Sequence, residues 1–245
     1  FSGTYGYSLL LKDKNYLFVD GRYTLQANKQ CGKKFKIITI PNKMPYQLLK
    51  DKKFVIGFDP KLFTRNSLKN FFKNSNCIFR SINENLIDSI WDRKKKISAN
   101  KFYTLPNQLV GSNYKSKIKK ISSILKERKI DFQFITACEN NAWLLNIRGS
   151  DIKYSPIPHS YILIDKNRKI KFFCDLKKIS KKLKNYYKDI EFKEIGLVDE
   201  ALLNIKNKKF IIDNSTCSIY FENMILKNNK ILERYDPLYD LKAVK

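Results

Sequence analysis

The polar side chains most suited to a functional role lie in the short segment at residues 148–151, which reads Arg-Gly-Ser-Asp. Gly149 permits a sharp loop, and Asp151 can cap that loop or pair with Arg148, which is a sufficient structural role. The functional alternative is that Arg148 and Asp151 line the rim of a cleft.

A second segment, Asp20-Gly21-Arg22, is similar in kind. Asp20 is expected to cap the helix that follows, because a short polar side chain can accept a hydrogen bond from a free N–H of the first helical turn. Arg22 is then available for a contact with another domain or with a second copy in a dimer.

Most catalytic arrangements are excluded by the residue types present. His159 is the only histidine, so the chain has neither a Ser-His-Asp triad nor a histidine-rich metal site. The carboxylates show no spacing typical of acid–base catalysis, and no glycine-rich phosphate loop occurs. The sequence therefore predicts no catalytic residue and no metal ligand among these 245 residues.

The cysteines and the apolar runs indicate a cytoplasmic protein. No stretch of about 18 apolar residues occurs, and no signal peptide is visible. The chain opens with Phe1 and not with Met, so it resembles a piece of a longer protein. The cysteines are odd in number and form no CxxC pair, which predicts reduced thiols instead of a disulfide framework or a structural zinc. They are Cys31, Cys77, Cys138, Cys174 and Cys217.

The net charge of +26 raises the alternative of a nucleic-acid-binding protein. Nearly all of the positive charge is lysine, whereas arginine supplies the bidentate contacts that readers of nucleic acid favour. The lysine excess comes with abundant Asn and Ile, a combination expected when a genome rich in A and T biases codon use. It therefore indicates compositional drift and not a binding surface. We therefore expect no specific nucleic acid partner.

The elements that position these residues alternate between strands and helices, the pattern of an α/β protein. In the first half we expect a hairpin of strands 8–11 and 16–19, further strands at 35–40, 54–58 and 77–80, and helices at 22–29, 46–49, from 59 and from 83. In the second half we expect helices at 116–129, 176–187, 198–205 and 217–226, and strands at 132–136, 143–147, 161–164, 169–174, 190–195, 210–213 and 231–234.

The two halves resemble each other at an offset of about 150 residues, which predicts an internal duplication. Residues 7–14 are similar in sequence and position to residues 160–166, and residues 52–56 to residues 208–212. The halves should therefore share one strand order, with the opening of the first copy lying before Phe1. Apolar side chains of the first copy should then be more exposed than those of the second, namely Leu9, Leu11, Phe18 and Ile38 against Ile162, Ile164, Phe173 and Ile190.

Four segments in chain order are similar to sequences of the three-domain aminopeptidase P proteins, in the creatinase/prolidase family. Residues 1–4 with 19–27 resemble "GFTGS…DGRYxLQA" of domain I, and residues 85–91 resemble the "NLVDxIW" connector. Residues 136–151 are similar to "TALDEIAWLLNLRGSD" of domain II, and residues 240–245 to the "xxKAxKN" entry of the catalytic domain.

The resemblance implies an α/β fold of two creatinase N-terminal-like domains, each a mixed β-sheet flanked by helices. It places a partial domain I, truncated at its N-terminus, at 1–82 and a connector helix and linker at 83–106. Domain II then spans 107–236, and residues 237–245 begin a missing catalytic domain.

The function implied is that of the non-catalytic N-terminal region of a metal-dependent Xaa-Pro aminopeptidase, which removes the N-terminal residue preceding proline. Two divalent metal ions, taken to be manganese, would be held by the catalytic domain, and this fragment would hold no cofactor and be inactive. The implied partners are that catalytic domain, a second copy in a homodimer, and peptides with proline at the second position. Arg148, Asp151 and Arg22 would be cleft-rim or interdomain residues.

Two other functions stay open. A creatinase-like module could bind peptides or proteins without peptidase activity, and the presence or absence of five metal ligands beyond residue 245 decides between this and the enzyme. A specific nucleic-acid binder would remain bound at near-physiological salt, where a merely lysine-rich protein is released.

Overall fold

The computed structural model describes residues 1–92 and 100–243. The chain forms two compact units, the first made of Phe1–Asp59 with Asn66–Asn83 and the second of Pro60–Arg65 with Glu84–Lys245. Residues 93–99 of the predicted connector and linker lie outside the described residues, as do the last two residues of the predicted catalytic-domain start. The predicted domain boundaries stay predictions.

The first unit contains two small sheets. β1 (Gly6–Leu10) and β2 (Asn15–Asp20) form the expected antiparallel hairpin, and β3 (Lys36–Ile40) runs parallel to β2. β4 (Val55–Phe58) and β5 (Ile78–Ser81) form a separate parallel pair. The helices of this part of the chain are α1 (Thr24–Cys31), α2 (Pro45–Leu49) and α3 (Arg65–Phe72).

The core of the first unit lies on both faces of β2, because successive side chains of a strand point to opposite sides. Phe18 and Leu49 of α2 are fully buried on one face. Val19 and Ala27 of α1 are fully buried on the other. The hairpin is thus held between helices on its two sides.

The second unit is built on a six-stranded mixed sheet and five surrounding helices, with a sixth at the end of the described chain. Its strands are β6 (Tyr103–Thr104), β7 (Phe132–Ile135), β8 (Ile147–Arg148), β9 (Tyr161–Asp165), β10 (Ile170–Cys174), β11 (Ile190–Glu194), β12 (Lys209–Ile211) and β13 (Lys230–Glu233). Its helices are α4 (Tyr114–Glu127), α5 (Cys138–Leu145), α6 (Lys181–Tyr186), α7 (Val198–Leu203), α8 (Ile219–Leu226) and α9 (Leu238–Ala243). The sheet order is β11-β10-β9-β7-β12-β13, and β6 pairs with β8 alone.

Helices cover both faces of this sheet. α4, α5 and α6 pack on one face, and α4 has an apolar stripe that is buried there through Ile118, Ile121 and Leu125. α7 and α8 pack on the other face, with Leu202 and Ile225 in the core. A strand enclosed in this way is apolar on both sides, which explains runs such as residues 161–164. The α/β fold with mixed sheets flanked by helices is confirmed.

The strand orders of the two units correspond. β3-β2-β1 matches β11-β10-β9, and β4-β5 matches β12-β13, with the same parallel or antiparallel pairing throughout. In each hairpin the Asp at the end of the second strand, Asp20 or Asp175, caps a 3₁₀ turn by accepting a hydrogen bond from the N–H two residues on. The predicted common strand order is confirmed. The second sheet has one more strand, β7, between β9 and β12.

Of the four side chains predicted to be exposed by the truncation, Leu11 is partly exposed and the other three are buried. Leu9, Phe18 and Ile38 are 6%, 0% and 7% exposed, because their face of the sheet is packed against α2 and α3. The exposed apolar side chains lie on the opposite face, where Leu10 is 60% and Val55 is 57% exposed.

Two predicted helices are wrong in position. The helix expected from Asp59-Pro60 begins only at Arg65, because the carbonyls of Pro60 and Phe63 accept hydrogen bonds from the N-terminus of α8 instead of closing local helical turns. The connector helix expected from residue 83 is a turn at 86–90. There the Asn85 side chain accepts hydrogen bonds from the N–H groups at 87 and 88 in the manner of a helix N-cap, but the turn that it begins ends at residue 90.

Two elements of the second half also differ. The strand expected at 143–147 is mostly the helix α5, since a short apolar run fits a buried helix as well as a buried strand. The helix expected at 176–187 is divided into a 3₁₀ turn (Leu176–Lys178) and α6, because the side chain of Ser180 caps a new helix.

None of the five cysteines forms a disulfide, as predicted, and all five lie in the described residues. Cys174 and Cys217 are buried in the core, and the other three are partly exposed. Within 1–92 and 100–243, no helix is long and apolar enough to cross a bilayer.

Candidate functional site

The loop that follows β8 packs closely on a buried aromatic ring at Gly149. A Cβ atom at this position would lie 2.9 Å from ring carbons of Phe102 and 2.9 Å from the Cα of Pro158. Gly149 does not have a positive φ, so lack of space, and not a left-handed turn, is what requires glycine here.

Asp151 anchors the same loop through a buried ion pair with Lys178, each side chain being 7% exposed. Its second carboxylate oxygen accepts a hydrogen bond of 2.8 Å from the N–H of His159. The Lys178 Nζ also lies 5.8 Å from the centre of the Phe102 ring. The sequence-based pairing of Asp151 with Arg148 is therefore wrong, because a residue from the turn after β10 supplies the partner.

Arg148 instead donates to the carbonyls of Ala142 and Ile147, both at 2.9 Å. Lys117 of α4 approaches the same helix end, with its Nζ 2.7 Å from the carbonyl of Trp143. Cations at a helix C-terminus satisfy its free carbonyls and its partial negative charge. Burial, assisted by the charge of Arg148, lowers the pKa of Lys117 to about 8.

Arg22 lies in the first unit and is mostly exposed. Its Nε donates to Asp20 at 2.9 Å and a terminal nitrogen donates to the second Asp20 oxygen at 3.3 Å. Hydrogen bonding to Arg22 lowers the pKa of the Asp20 carboxyl. The predicted cap is confirmed, since Asp20 also accepts from the Arg22 N–H at 3.0 Å.

Arg148 and Asp151 thus share one loop without touching through their side chains. Both are fixed by contacts inside the second unit, and Asp151 is almost fully buried. Their sequence-predicted role at a cleft rim stays a prediction, as does the role of Arg22.

A buried polar network around Asp236 is a feature that sequence reasoning missed. Its carboxylate accepts hydrogen bonds from Gln133 Nε2 at 2.7 Å, Asn140 Nδ2 at 2.5 Å and the Leu238 N–H at 2.8 Å. Lys242 of α9 in turn donates to the Asn140 side chain. Burial raises the pKa of Asp236. The network fixes α9 to the sheet, and its signal in the sequence is the polar Gln133 within the apolar run at 132–135.

A second missed feature is a cavity of about 300 Å³ where β7 and β12 end. Ligands of open α/β sheets commonly bind at this edge. Its polar groups are largely paired with one another: the hydroxyls of Thr136 and Thr216 lie 2.9 Å apart, and Tyr220 donates to Asp199. The Cys138 thiol lines it, and burial raises the thiol's pKa, which disfavours a nucleophilic thiolate.

The described residues do not fit a metal centre. Within this part of the chain, no three His, Cys, Asp or Glu side chains come together in a way that could hold an ion. Carboxylates such as Asp151 and Asp236 are already occupied by lysine, amide or backbone donors.

Comparison with known proteins decides the family. The family model described as "Creatinase/Prolidase N-terminal domain" matches residues 92–245. The chain belongs to the creatinase/prolidase N-terminal domain family. This region includes the loop that follows β8, the polar network around Asp236 and the whole six-stranded sheet.

The relatives of this creatinase/prolidase-type chain are Xaa-Pro aminopeptidases. It is 30% identical to Xaa-Pro aminopeptidase 1 of Dictyostelium discoideum and 26% identical to Xaa-Pro aminopeptidase 2 of Rattus norvegicus, with 100% of the chain aligned in both cases. It spans only 42% and 39% of those two proteins.

Among solved structures, the chain is similar to the X-prolyl aminopeptidase of Caenorhabditis elegans, described as a cytosolic enzyme with a di-nuclear active site. The TM-score is 0.87 at 26% identity, and the match covers 100% of this chain and 43% of the nematode protein. Both units of the creatinase/prolidase-type chain therefore have counterparts in one known protein.

Proposed function

We propose that this chain is the non-catalytic N-terminal region of a metal-dependent Xaa-Pro aminopeptidase, a hydrolase that removes the residue preceding a proline at position two. The observation that supports this most strongly is the match of the whole chain, across both units, to the nematode aminopeptidase. The relatives are more than twice as long as this chain, which leaves room for a separate catalytic domain.

In this proposal the parent protein is a cytoplasmic homodimer whose catalytic domain follows residue 245 and holds two divalent ions, manganese being our candidate. Residues 1–82 correspond to a partial domain I, 83–106 to the connector, 107–236 to domain II and 237–245 to the catalytic-domain entry. The metal ions would supply an activated water, and no residue of this chain would ligate them.

The contribution of the second unit would be to position the rim of the cleft. The loop at 148–160 is held by the buried pair of Asp151 and Lys178 and by the fit of Gly149 against Phe102. The Asp236 network holds α9, so the chain leaves the unit in a fixed direction. A rim on rigid supports costs little conformational entropy when a peptide binds. Arg22 would serve at an interdomain or dimer contact.

The test compares the full-length protein with the chain ending at residue 245. With added Mn²⁺, the full-length protein should release arginine from Arg-Pro-Pro, and the shorter chain should not. Cleavage by the shorter chain would overturn the proposal. A well-folded full-length protein that binds such peptides but never cleaves them would favour the binding-module alternative.

A variant tests the rim role separately. In the full-length protein Asp151→Ala should raise the KM for the peptide more than it lowers kcat, because the loop loosens while the catalytic metals are untouched. The matched control is Asp165→Ala, in a hairpin turn away from the loop. Equal kinetic constants for Asp151→Ala and the parent enzyme would remove the rim from the proposal.

A further inference from the structure

The cavity of about 300 Å³ in the second unit lies where the connections of the six-stranded sheet diverge. β7 and β12 are parallel neighbours, so their carboxyl ends meet at one edge of the sheet. The chain leaves β7 into α5, which packs on one face, and leaves β12 toward α8, which packs on the other. Two such connections leave a crevice between them, and this is the general position of ligand sites in open α/β sheets.

One wall of the cavity is apolar. The rings of Tyr161 and Phe221 line it, with their centres 5.2 Å apart. The Cys138 thiol also lines it, and burial raises the pKa of this thiol, so it stays protonated and neutral. Small-molecule sites span roughly 300–1,000 Å³. The cavity is at the lower end of this range, which favours a small ligand with an apolar portion.

Asp199 is a carboxylate on the cavity wall that has no cationic partner in the protein. It is half-buried, and one of its oxygens accepts a hydrogen bond from the Tyr220 hydroxyl. Within residues 1–92 and 100–243, no lysine or arginine forms an ion pair with it. In a chain with 49 Lys and Arg, such a carboxylate leaves room for a positively charged group of a ligand.

Lys61 supplies a positive charge beside the same tyrosine. Its Nζ lies 4.8 Å from the centre of the Tyr220 ring, and its side chain lines the cavity. Because an ammonium group has three donors, Lys61 can bind a carboxylate in addition to its partners within the protein. One anionic and one cationic side chain thus contact one ring at the cavity without forming an ion pair with each other.

A phosphate group fits the cavity less well than a ligand of mixed charge. The N-terminus of α8 borders the cavity, but its Ile219 and Tyr220 N–H groups already donate to the carbonyls at 63 and 60. These donors are therefore not available to an anion. The carboxylate of Asp199 would also repel a doubly charged group.

We propose that this cavity binds a free α-amino acid with an aliphatic side chain. The ammonium group of the ligand binds Asp199, its carboxylate binds Lys61, and its side chain packs against Tyr161 and Phe221. An α-amino acid carries opposite charges on adjacent groups, which matches two opposite charges around one tyrosine ring. The site lies within the second unit, which includes Pro60–Arg65, and it does not depend on the peptidase activity proposed above.

The first experiment measures the alkylation of Cys138 by iodoacetamide in the full-length protein, with mass spectrometry of its peptides. A catalytic centre elsewhere could bind the same amino acids, so the measurement must be local to the cavity. At roughly 10 mM L-leucine the labelling rate of Cys138 should fall at least about fivefold, because a bound ligand covers the thiol. Cys31 and Cys77, which are partly exposed in the first unit, are the internal controls and should label at unchanged rates.

Two analogues of leucine test the chemistry of recognition. L-Leucinamide lacks the carboxylate and 4-methylpentanoate lacks the ammonium group, so neither should protect Cys138 as leucine does. Equal protection by either analogue overturns the proposal. It is also overturned if L-leucine, L-valine and L-methionine all fail to protect Cys138, or if Cys31 and Cys77 are slowed to the same extent.

A substitution provides a second measurement that does not depend on the reactivity of Cys138. Asp199→Asn keeps an oxygen that can accept from Tyr220 and removes the charge. Calorimetric titration of the full-length variant with L-leucine should show a Kd at least about tenfold higher for the cavity, as expected from losing a hydrogen bond to a charged group. Glu200→Gln is the matched control, because it makes the same change at the adjacent, exposed carboxylate.

Any binding of leucine at a catalytic centre is common to the parent and both variants, so it does not affect the comparison. The control Glu200→Gln should bind leucine as the parent does. Identical titrations for Asp199→Asn and the parent would show that no ammonium group binds Asp199, and the proposal would fail.

Discussion

Asp151 and Lys178 form an ion pair that is almost fully removed from water, whereas Asp20 and Arg22 form one at the surface. Removing one partner of a buried pair leaves an uncompensated charge, so Asp151→Ala should lower the free energy of unfolding by about 3 kcal/mol. Asp20→Ala, the matched control, should have a much smaller effect because water screens that pair. Urea denaturation of both variants measures the difference, and equal losses would contradict it.

Lys117 predicts a pH dependence of stability. Burial lowers its pKa to about 8 in the folded protein, below the ordinary lysine value of 10.5. Between these two values the unfolded chain binds more protons than the folded one, so the free energy of unfolding should rise with pH. Below about pH 8 the cost of burying the charge is fully present.

The variant Lys117→Met isolates this effect, because methionine keeps the apolar stem and does not titrate. The free energy of unfolding of the parent minus that of the variant should be flat below about pH 8 and should increase up to pH 10.5. The other lysines titrate alike in both proteins, so their contributions cancel in this difference. Parallel curves from pH 7 to 10.5 would show that Lys117 titrates normally.

At the scale of single residues, local contacts could be predicted and distant partners could not. The cap by Asp20 follows from a bond to a residue two positions away. The partner of Asp151 is Lys178, 27 positions away, and only the fold brings them together. Asp236 likewise depends on Gln133 and Asn140, about 100 positions earlier.

At the scale of elements, the segment Pro60–Arg65 holds the N-terminus of α8. Both the segment and the helix belong to the second unit. In α8 the Ile219 N–H donates to the Phe63 carbonyl at 2.8 Å, and the Tyr220 N–H donates to the Pro60 carbonyl at 3.0 Å. These bonds satisfy donors that helix N-termini otherwise leave free. The segment Pro60–Arg65 thereby acts as a backbone cap for α8.

The side chain of Glu222 should stabilise the contact between Pro60–Arg65 and the N-terminus of α8. Its buried carboxylate accepts from Arg65 Nε at 2.9 Å and also from Arg234. Glu222→Ala should lower the free energy of unfolding by about 3 kcal/mol, since hydrogen bonds to charged groups are lost, and should speed exchange of the Ile219 amide. Glu200→Ala, at an exposed site on α7, is the control. Unchanged exchange at Ile219 would mean that the cap holds without Glu222.

The elements that sequence patterns predicted well have apolar residues in an arrangement typical of their type. α4 has an apolar stripe at helical spacing, and β9 and β10 are short, largely apolar runs buried on both faces of the sheet. α5 was missed because it is buried nearly all round, so its apolar run has no period that distinguishes a helix from a strand. The turn at 86–90 was missed because its apolar residues suggested a packed helix, yet Ile90 is 81% exposed.

For the whole molecule, the internal repeat connects sequence to fold most directly. A hairpin, a helix and a buried strand in the same order leave few ways to close one sheet, because crossovers between parallel strands are almost always right-handed. Matching order therefore predicted matching sheets from residues alone. The burial of individual side chains was not predictable in the same way, because it depends on which helices cover each face.

The charge of the whole molecule gives the last prediction. With 49 Lys and Arg against 23 Asp and Glu, the chain should bind DNA of any sequence at low salt through phosphate contacts. Since such binding releases counterions, affinity should fall steeply as salt increases and be lost near physiological ionic strength. Fluorescence anisotropy with two unrelated duplexes of equal length, titrated at several salt concentrations, measures this, and the two duplexes should give the same affinity throughout. A preference for one duplex, or binding that persists at physiological salt, would favour a dedicated nucleic-acid surface over compositional drift.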